Sequence, residues 1–461
     1  MRVSASACVN SSGRARSSAS FIVARTDVSN ARFLLIFLIC TTPAVLLLDG
    51  PIVHGLVAGV AAVGLVVLAR TMRPGETEFF LTFARPAAAL LVIPALWILI
   101  QVLPIRALAH PIWASAETAI GHPLTGAISI DIGESVMALG QYLTIVAIGF
   151  WAAAVAVDRQ RAEWILFALM GATGLIGLTM LANTLFGLAS FNASDGLFER
   201  AQAIDCVAMG AVIAGAAGIR TLERYETRHA NPGRSVSVLF WAFAACIAAF
   251  IVCVGTLMLA ARDATIIAAA YGIIALVAVV CIRRFGLGAW GTLAITLPVI
   301  GIALFLVANN PELRTKHLTL AFATPASPSL ISTSQRIIED APVNGTGAGT
   351  FAAIAPVYRD FDDKAALTIP PTAMAAAVVE LGRPMFLLIV AAMAGAIYFL
   401  LRASLRRGRD SFYPTAGAGS LITMALLSLI NAGALGTAAA MITAATLGLA
   451  IAQSKSRTAL Q

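Results

Sequence analysis

The chain has little charge, almost no lysine, few aromatic residues and no paired-cysteine motif. Asp, Glu, Lys and Arg together make up 12% of its 461 residues, where a soluble domain carries about 25%. So sparse a set of charges excludes an ordinary soluble fold. Aromatic residues are 7%. Lysine occurs only at positions 316, 364 and 455, against 28 arginines. The net charge of +8 is therefore an arginine charge. It collects between apolar runs instead of forming a basic face, so nucleic acid is not an expected partner. Five of the six cysteines (Cys40, Cys206, Cys246, Cys253 and Cys281) fall inside apolar stretches, and Cys8 stands in the amino-terminal tail. With no CxxC pair, they read as small packing residues and not as a disulfide framework. His54, His110, His122, His229 and His317 are scattered without an HxxxH or HExxH spacing. Neither a metal nor a cofactor is expected.

What the chain has in abundance is apolar sequence, 59% of its residues. A membrane span needs about 20 mainly apolar residues. Twelve stretches qualify, at roughly 33–48, 51–69, 87–103, 136–157, 164–186, 201–219, 236–260, 264–282, 286–307, 384–401, 416–432 and 436–452. Backbone polar groups cannot go unpaired in hydrocarbon, so each is a helix or part of a closed barrel. Continuous apolar runs without period-2 alternation favour helices. The fold class predicted is an all-α integral membrane protein with about 12 transmembrane helices.

The arginines set its orientation. With the amino terminus inside, 22 of the 31 Lys and Arg residues fall on alternate, inner segments. Positive charge collects on cytoplasmic loops, so both termini are expected in the cytoplasm. The organisation predicted is a basic cytoplasmic tail (1–32), helices one to nine (33–307), a large outer loop with short helices (308–383), helices ten to twelve (384–452) and a short cytoplasmic tail (453–461).

Chemistry must then sit in the outer loops or between the helices. Within the large loop, Gln335–Asp340 is predicted as a short helix capped by Ser332 or Ser334. Phe351–Tyr358 and Pro371–Leu381 are further short helices, and Pro342–Gly349 must turn. Gly345, Gly347 and Gly349 lack the Lys-Ser/Thr of a nucleotide loop. They either let backbone N–H groups approach an anion or close a tight turn. Arg200 and Arg262 stand at the outer ends of apolar helices, against the inward bias of positive charge. Charge at such a place is often functional, and a guanidinium fork suits a phosphate oxygen pair. Arg336, Arg359 and Arg383 flank the glycine run and the next span. Asp360, Asp362, Asp363 and Glu380 are the candidate general bases.

Four segments carry a resemblance. They are Gly196-Leu-Phe198 with Arg200; Leu259-Ala-Ala-Arg262-Asp-Ala; Arg336 followed by Pro342-Val-Asn-Gly-Thr-Gly-Ala-Gly-Thr-Phe351; and Glu380-Leu-Gly382. Together they resemble the O-antigen ligase and polymerase superfamily of bacterial membrane glycosyltransferases, over roughly residues 190–400. The resemblance implies transfer of a glycan from an undecaprenyl-pyrophosphate carrier to lipid A-core or to a growing glycan, without a metal. It implies Arg262 and Arg200 as catalytic residues that hold and stabilise the leaving diphosphate. Arg336, Gly345, Gly347, Gly349, Arg359, Glu380 and Arg383 are implied as substrate-binding. Membrane lipids are the other expected partner. Many members place a His-Asn pair about nine residues before the Glu-x-Gly; here that stretch reads Thr368-Ile-Pro-Pro-Thr372. Two other readings remain: a twelve-span secondary transporter, and a non-catalytic scaffold of an envelope-polysaccharide complex. Against the transporter, no paired halves are evident.

Overall fold

The computed structural model describes residues 30–48, 50–187, 197–228, 236–285, 324, 328–358, 369–407 and 410–455. Every regular element among them is helical. In chain order these are α1 (Asn30–Leu47), α2 (Pro51–Thr71), α3 (Pro74–Val102), α4 (Ile112–Ile120), α5 (Ile132–Val155), α6 (Arg159–Phe186), α7 (Leu197–Arg228), α8 (Val236–Ala260) and α9 (Asp263–Arg284). They continue with α10 (Pro328–Asp340), α11 (Phe351–Ile354), α12 (Ala373–Leu381), α13 (Arg383–Arg406), α14 (Phe412–Ile430) and α15 (Thr437–Ala452). Ten of the described helices are long and apolar enough to cross a membrane, and α15 is a shorter apolar helix. The chain is thus an all-α, multi-pass membrane protein. Eleven of the twelve expected stretches fall on these helices; 286–307 lies outside the described residues.

Several boundaries differ from the sequence reading. Helix α3 starts at Pro74 and not near 87, so Arg85 and Pro86 lie inside it. Hydrophobicity marks where a chain meets hydrocarbon, whereas backbone hydrogen bonding continues past that edge. Helix α10 starts at Pro328, which places Ser332 and Ser334 inside the helix and not at its cap. Helix α7 begins at Leu197, so Glu199 and Arg200 belong to its first turn and not to a loop. Thr372 caps α12 by accepting the Ala375 N–H at 3.1 Å. Pro384 sits in the first turn of α13. Residues 431–436 turn, with a short 3-10 stretch at Gly433–Leu435.

Helix α7 is the hub of the bundle, packed on α6, α8, α9, α14 and α15. Its apolar window is 78% buried, as is that of α14, whereas that of α13 is 11% buried and lies at the periphery. Peripheral helices turn large apolar side chains outward, among them Ile52, Leu56, Trp241 and Leu387. That belt is stable only in lipid. Between helices there is no hydrophobic driving force within lipid, so close backbone approach supplies the contact. A Cβ on Gly448 of α15 would lie 2.2 Å from the Gly149 carbonyl oxygen of α5. A Cβ on Gly419 of α14 would lie 2.8 Å from the Gly272 carbonyl oxygen of α9.

The two ends of the bundle differ. At one end, Asp410 faces Arg159 at 2.6 Å and Arg220 at 3.9 Å. Arg161 pairs with Glu76 at 3.9 Å, Arg283 with Glu223 at 3.8 Å, and Arg224 with Glu163. Arg220 also stacks on Phe412, 5.1 Å from the ring centre. The arginines that alternate along the sequence are therefore gathered in space. The opposite end carries α4, α10, α11, α12, the glycine run and the 431–436 turn. Arg200, Arg262, Arg336 and Arg383 stand at this second end.

Candidate functional site

The second end is organised around Glu380. Its carboxylate accepts the Gly349 N–H at 2.8 Å on one oxygen and the Phe351 N–H at 3.1 Å on the other. Its main-chain oxygen accepts the Gly347 N–H at 3.1 Å, and that of Val379 accepts the Thr346 N–H at 2.9 Å. The glycine run thus folds over the end of α12 and is laced to it. Gly345, Gly347, Gly349 and Gly382 all have positive φ, at 80°, 109°, 78° and 84°. Only glycine takes that backbone without strain. There is also no room for more. A Cβ on Gly345 would lie 2.3 Å from the Glu380 carbonyl oxygen, and one on Gly382 would lie 2.2 Å from that of Val343.

Three polar residues from elsewhere complete the clasp. Gln101, the last polar residue of α3, donates to the carbonyls of Glu380 at 2.9 Å and Asn344 at 3.2 Å. Its own carbonyl accepts the Ala348 N–H at 3.2 Å. Ser135 of α5 donates to the Ala348 oxygen at 2.8 Å. Ser129 sits beside it, 2.7 Å from the Ser135 hydroxyl. Beneath the loop lies a small core of Ile337, Phe351, Ile354, Ala355 and Val379. Gln101, Ser129 and Ser135 were not singled out in the sequence. Gln101 carries a signal that could have found it, an amide at the end of an otherwise apolar span.

This geometry decides between the two readings of the glycine run. The amides of Gly345, Thr346, Gly347, Ala348, Gly349, Thr350 and Phe351 all donate within the protein. They are not directed at a bound anion, and the run is a tight turn. Gly345, Gly347 and Gly349 therefore shape the site without presenting N–H groups to a substrate. Glu380 holds the run in place here, each carboxylate oxygen accepting one backbone N–H.

Burial pushes the Glu380 carboxyl up, from the usual 4.5 to about 7, against the pull of the Gly349 and Phe351 N–H groups. A raised carboxyl pKa means that ionisation is harder in the fold than in the unfolded chain. Stability should then fall as pH rises from the unfolded value toward 7, and stay level above it. The expected result is a melting temperature in detergent that is higher at pH 5 than at pH 7.5. Glu380→Gln should remove that component and lower the melting temperature at both values, since its NH2 group would face a backbone N–H. An identical pH profile in the variant would contradict this assignment.

The arginines form two groups around the clasp. Arg200, in the first turn of α7, donates to the Ala260 oxygen at 3.5 Å, two residues before Arg262. The packing of α7 on α8 thereby brings Arg200 and Arg262 to one corner. Arg262 is the N-cap of α9 and is exposed. Arg383 opens α13 and donates to the Ile338 oxygen of α10 at 3.3 Å, two residues from Arg336. Arg336 lies on α10, with Thr333 within 3.3 Å. Arg359, Asp360, Asp362 and Asp363 lie outside the described residues.

Three of these arginines (Arg200, Arg262 and Arg383) stand at helix N-termini. That is the positive end of the helix dipole, where a cation is disfavoured by about 0.3–1 kcal/mol. Glu199 and Asp263, in the same turns, offset part of that field. An anion would meet the guanidinium and the helix end together. Next to this end, a cavity of 210 Å³ lies between α2, α5 and α15, lined in part by His54, Gln141 and Thr437. His54 joins the other two, at 2.8 Å to Gln141 and 2.9 Å to Thr437. Among the described residues no cluster of three His, Cys, Asp or Glu side chains could hold a metal ion. No protein-family model matches the chain, and no curated protein matches it.

Proposed function

We propose that this chain is an inner-membrane glycosyltransferase of the O-antigen ligase or polymerase type. It moves a glycan from undecaprenyl pyrophosphate to lipid A-core or to a growing polysaccharide. Its termini are cytoplasmic, and the segment 308–383 is periplasmic. The observation that supports this best is the clasp. Two of the segments that carry the resemblance, the Pro-x-x-Gly-x-Gly-x-Gly-x-Phe run and Glu380-Leu-Gly382, are locked together by the Glu380 carboxylate. Arg336 and Arg383 are carried on the same unit, and Arg200 and Arg262 meet at a second corner of the same end.

In this reading the acceptor hydroxyl oxygen attacks the anomeric carbon of the carrier-linked sugar. The bond from that carbon to the diphosphate oxygen breaks, and the diphosphate leaves with the electron pair. Arg262 and Arg200 bind the diphosphate and neutralise the charge that grows on it. The hydroxyl proton passes to a carboxylate of the large loop, for which Asp360, Asp362, Asp363 and Glu380 are the candidates. Gel analysis of surface polysaccharide in a deletion strain tests the reading. Loss of capped lipopolysaccharide with retained lipid-linked polymer is expected for a ligase, and caps of a single repeat for a polymerase. Unchanged glycan would sink the proposal.

One observation favours the second reading, a secondary transporter. Asp205 is a buried carboxylate inside α7, beside the turn at 431–436 that joins α14 to α15. Ionisable residues buried inside a membrane bundle are often on ion or substrate pathways. Unchanged glycan together with lost solute uptake in the deletion strain would establish that reading instead.

A further inference from the structure

We propose that Asp205 and Gln202 bind one monovalent alkali cation where α7 meets the 431–436 turn. Both side chains are fully buried. Asp205 Oδ1 accepts a hydrogen bond from Asn431 Nδ2 at 2.9 Å. Asn431 cannot turn its amide round, because its own Oδ1 accepts the Gly433 N–H at 2.8 Å. Asp205 Oδ2 and both amide atoms of Gln202 have no hydrogen-bond partner among the described residues. Neither the carboxyl nor the amide is free to swing out to water. A Cβ on Gly433 would lie 2.6 Å from Asp205 Oδ2, and one on Gly436 would lie 2.0 Å from Gln202 Nε2. The two glycines lay their bare backbone on these polar tips.

A carboxylate in such a place, held by one amide, is costly. A buried acid in a membrane bundle is a functional position by default. No basic side chain pairs with Asp205 among the described residues. One positive charge neutralises one carboxylate, whereas a divalent ion would leave a buried net charge. The available ligands, Asp205 Oδ2 and Gln202 Oε1, are hard oxygens of the kind that suit an alkali cation. Glu199, one turn before Gln202 on the same helix, also has a buried oxygen without a hydrogen-bond partner among the described residues. The ion would also be mechanically connected to the clasp. The Asn431 main-chain oxygen accepts the Ala373 N–H at 2.9 Å, at the start of α12, whose last turn carries Glu380. The proposal is independent of glycan transfer and would survive its failure.

Thermal unfolding of the purified full-length chain in detergent tests it, with sodium chloride exchanged for N-methyl-D-glucamine chloride at constant ionic strength. The melting temperature of the wild type should rise with sodium and saturate. Asp205→Asn should abolish the rise. Gln202→Leu should raise the half-saturating sodium concentration about tenfold, a loss of one oxygen ligand worth roughly 1.4 kcal/mol. This second variant serves if Asp205→Asn does not fold. A wild-type melting temperature that ignores sodium overturns the proposal, as does a sodium response that both variants retain. A response to pH alone would also overturn it, and would assign a proton to Asp205 instead.

Discussion

Arg262→Ala is expected to lower glycan transfer by about 100- to 1,000-fold while the protein stays inserted and folded. That is the usual loss when one charge-stabilising donor is removed from a transition state. Arg262 caps α9 from an exposed position, next to the corner that Arg200 reaches through the Ala260 carbonyl. Its side chain is not part of the buried core, so the fold should tolerate alanine. Helix α9 should even gain slightly, because a cation leaves the positive end of its dipole. Arg262→Lys separates charge from shape. Lysine keeps the charge but lacks the bidentate fork, so activity should still fall about tenfold. Transfer measured in membranes, normalised to inserted protein and paired with a melting curve, checks both. Arg262→Lys equal to wild type would remove the fork from the account, and a fully active Arg262→Ala would remove the residue.

The second large effect is on structure. Gly345→Ala is expected to destabilise the clasp by more than about 3 kcal/mol, combining a left-handed backbone with a steric overlap. The added carbon would fall 2.3 Å from the Glu380 carbonyl oxygen, a backbone atom that no side-chain rotation can move. Because Gly345 and Gly382 each press on the other's segment, Gly382→Ala should behave alike, and the double variant should be far from additive. Gly395, inside α13, is the control. A Cβ there meets nothing within 4 Å, and alanine should be neutral or stabilising by about 0.5–1 kcal/mol. Limited proteolysis between residues 328 and 383, with melting temperatures, distinguishes these variants. Protease resistance in Gly345→Ala equal to wild type would mean that the loop is not clasped as described.

Much of the fold was legible because the physics that places a chain in lipid is written in composition. Apolar runs marked the helices, and the inward bias of arginine anticipated two unlike ends. Arg159, Arg220, Arg224 and Arg283 do converge, although they come from three separate segments of the chain. Helix starts were less legible. The apolar run begins near residue 87, yet α3 starts at Pro74 and runs through Arg85 and Pro86, because backbone hydrogen bonding continues beyond the apolar run. The three glycines announced a turn, but not where its amides would point. Their partners lie on the remote Gln101, Val379 and Glu380, and such pairings depend on tertiary contacts. Gln202 and Asp205 drew no notice inside an apolar stretch, although polar residues in a span are the ones to question. Their meaning depends on Asn431, more than 200 positions away, and on the turn that brings it back.

The most direct measurement is transfer by the purified chain in proteoliposomes, supplied with undecaprenyl-pyrophosphate-linked glycan and an acceptor. Glycan should appear on the acceptor as free undecaprenyl pyrophosphate is released in equal amount, and Arg262→Ala should suppress both together. A carrier that stays loaded in the presence of well-folded, correctly inserted protein would contradict the account.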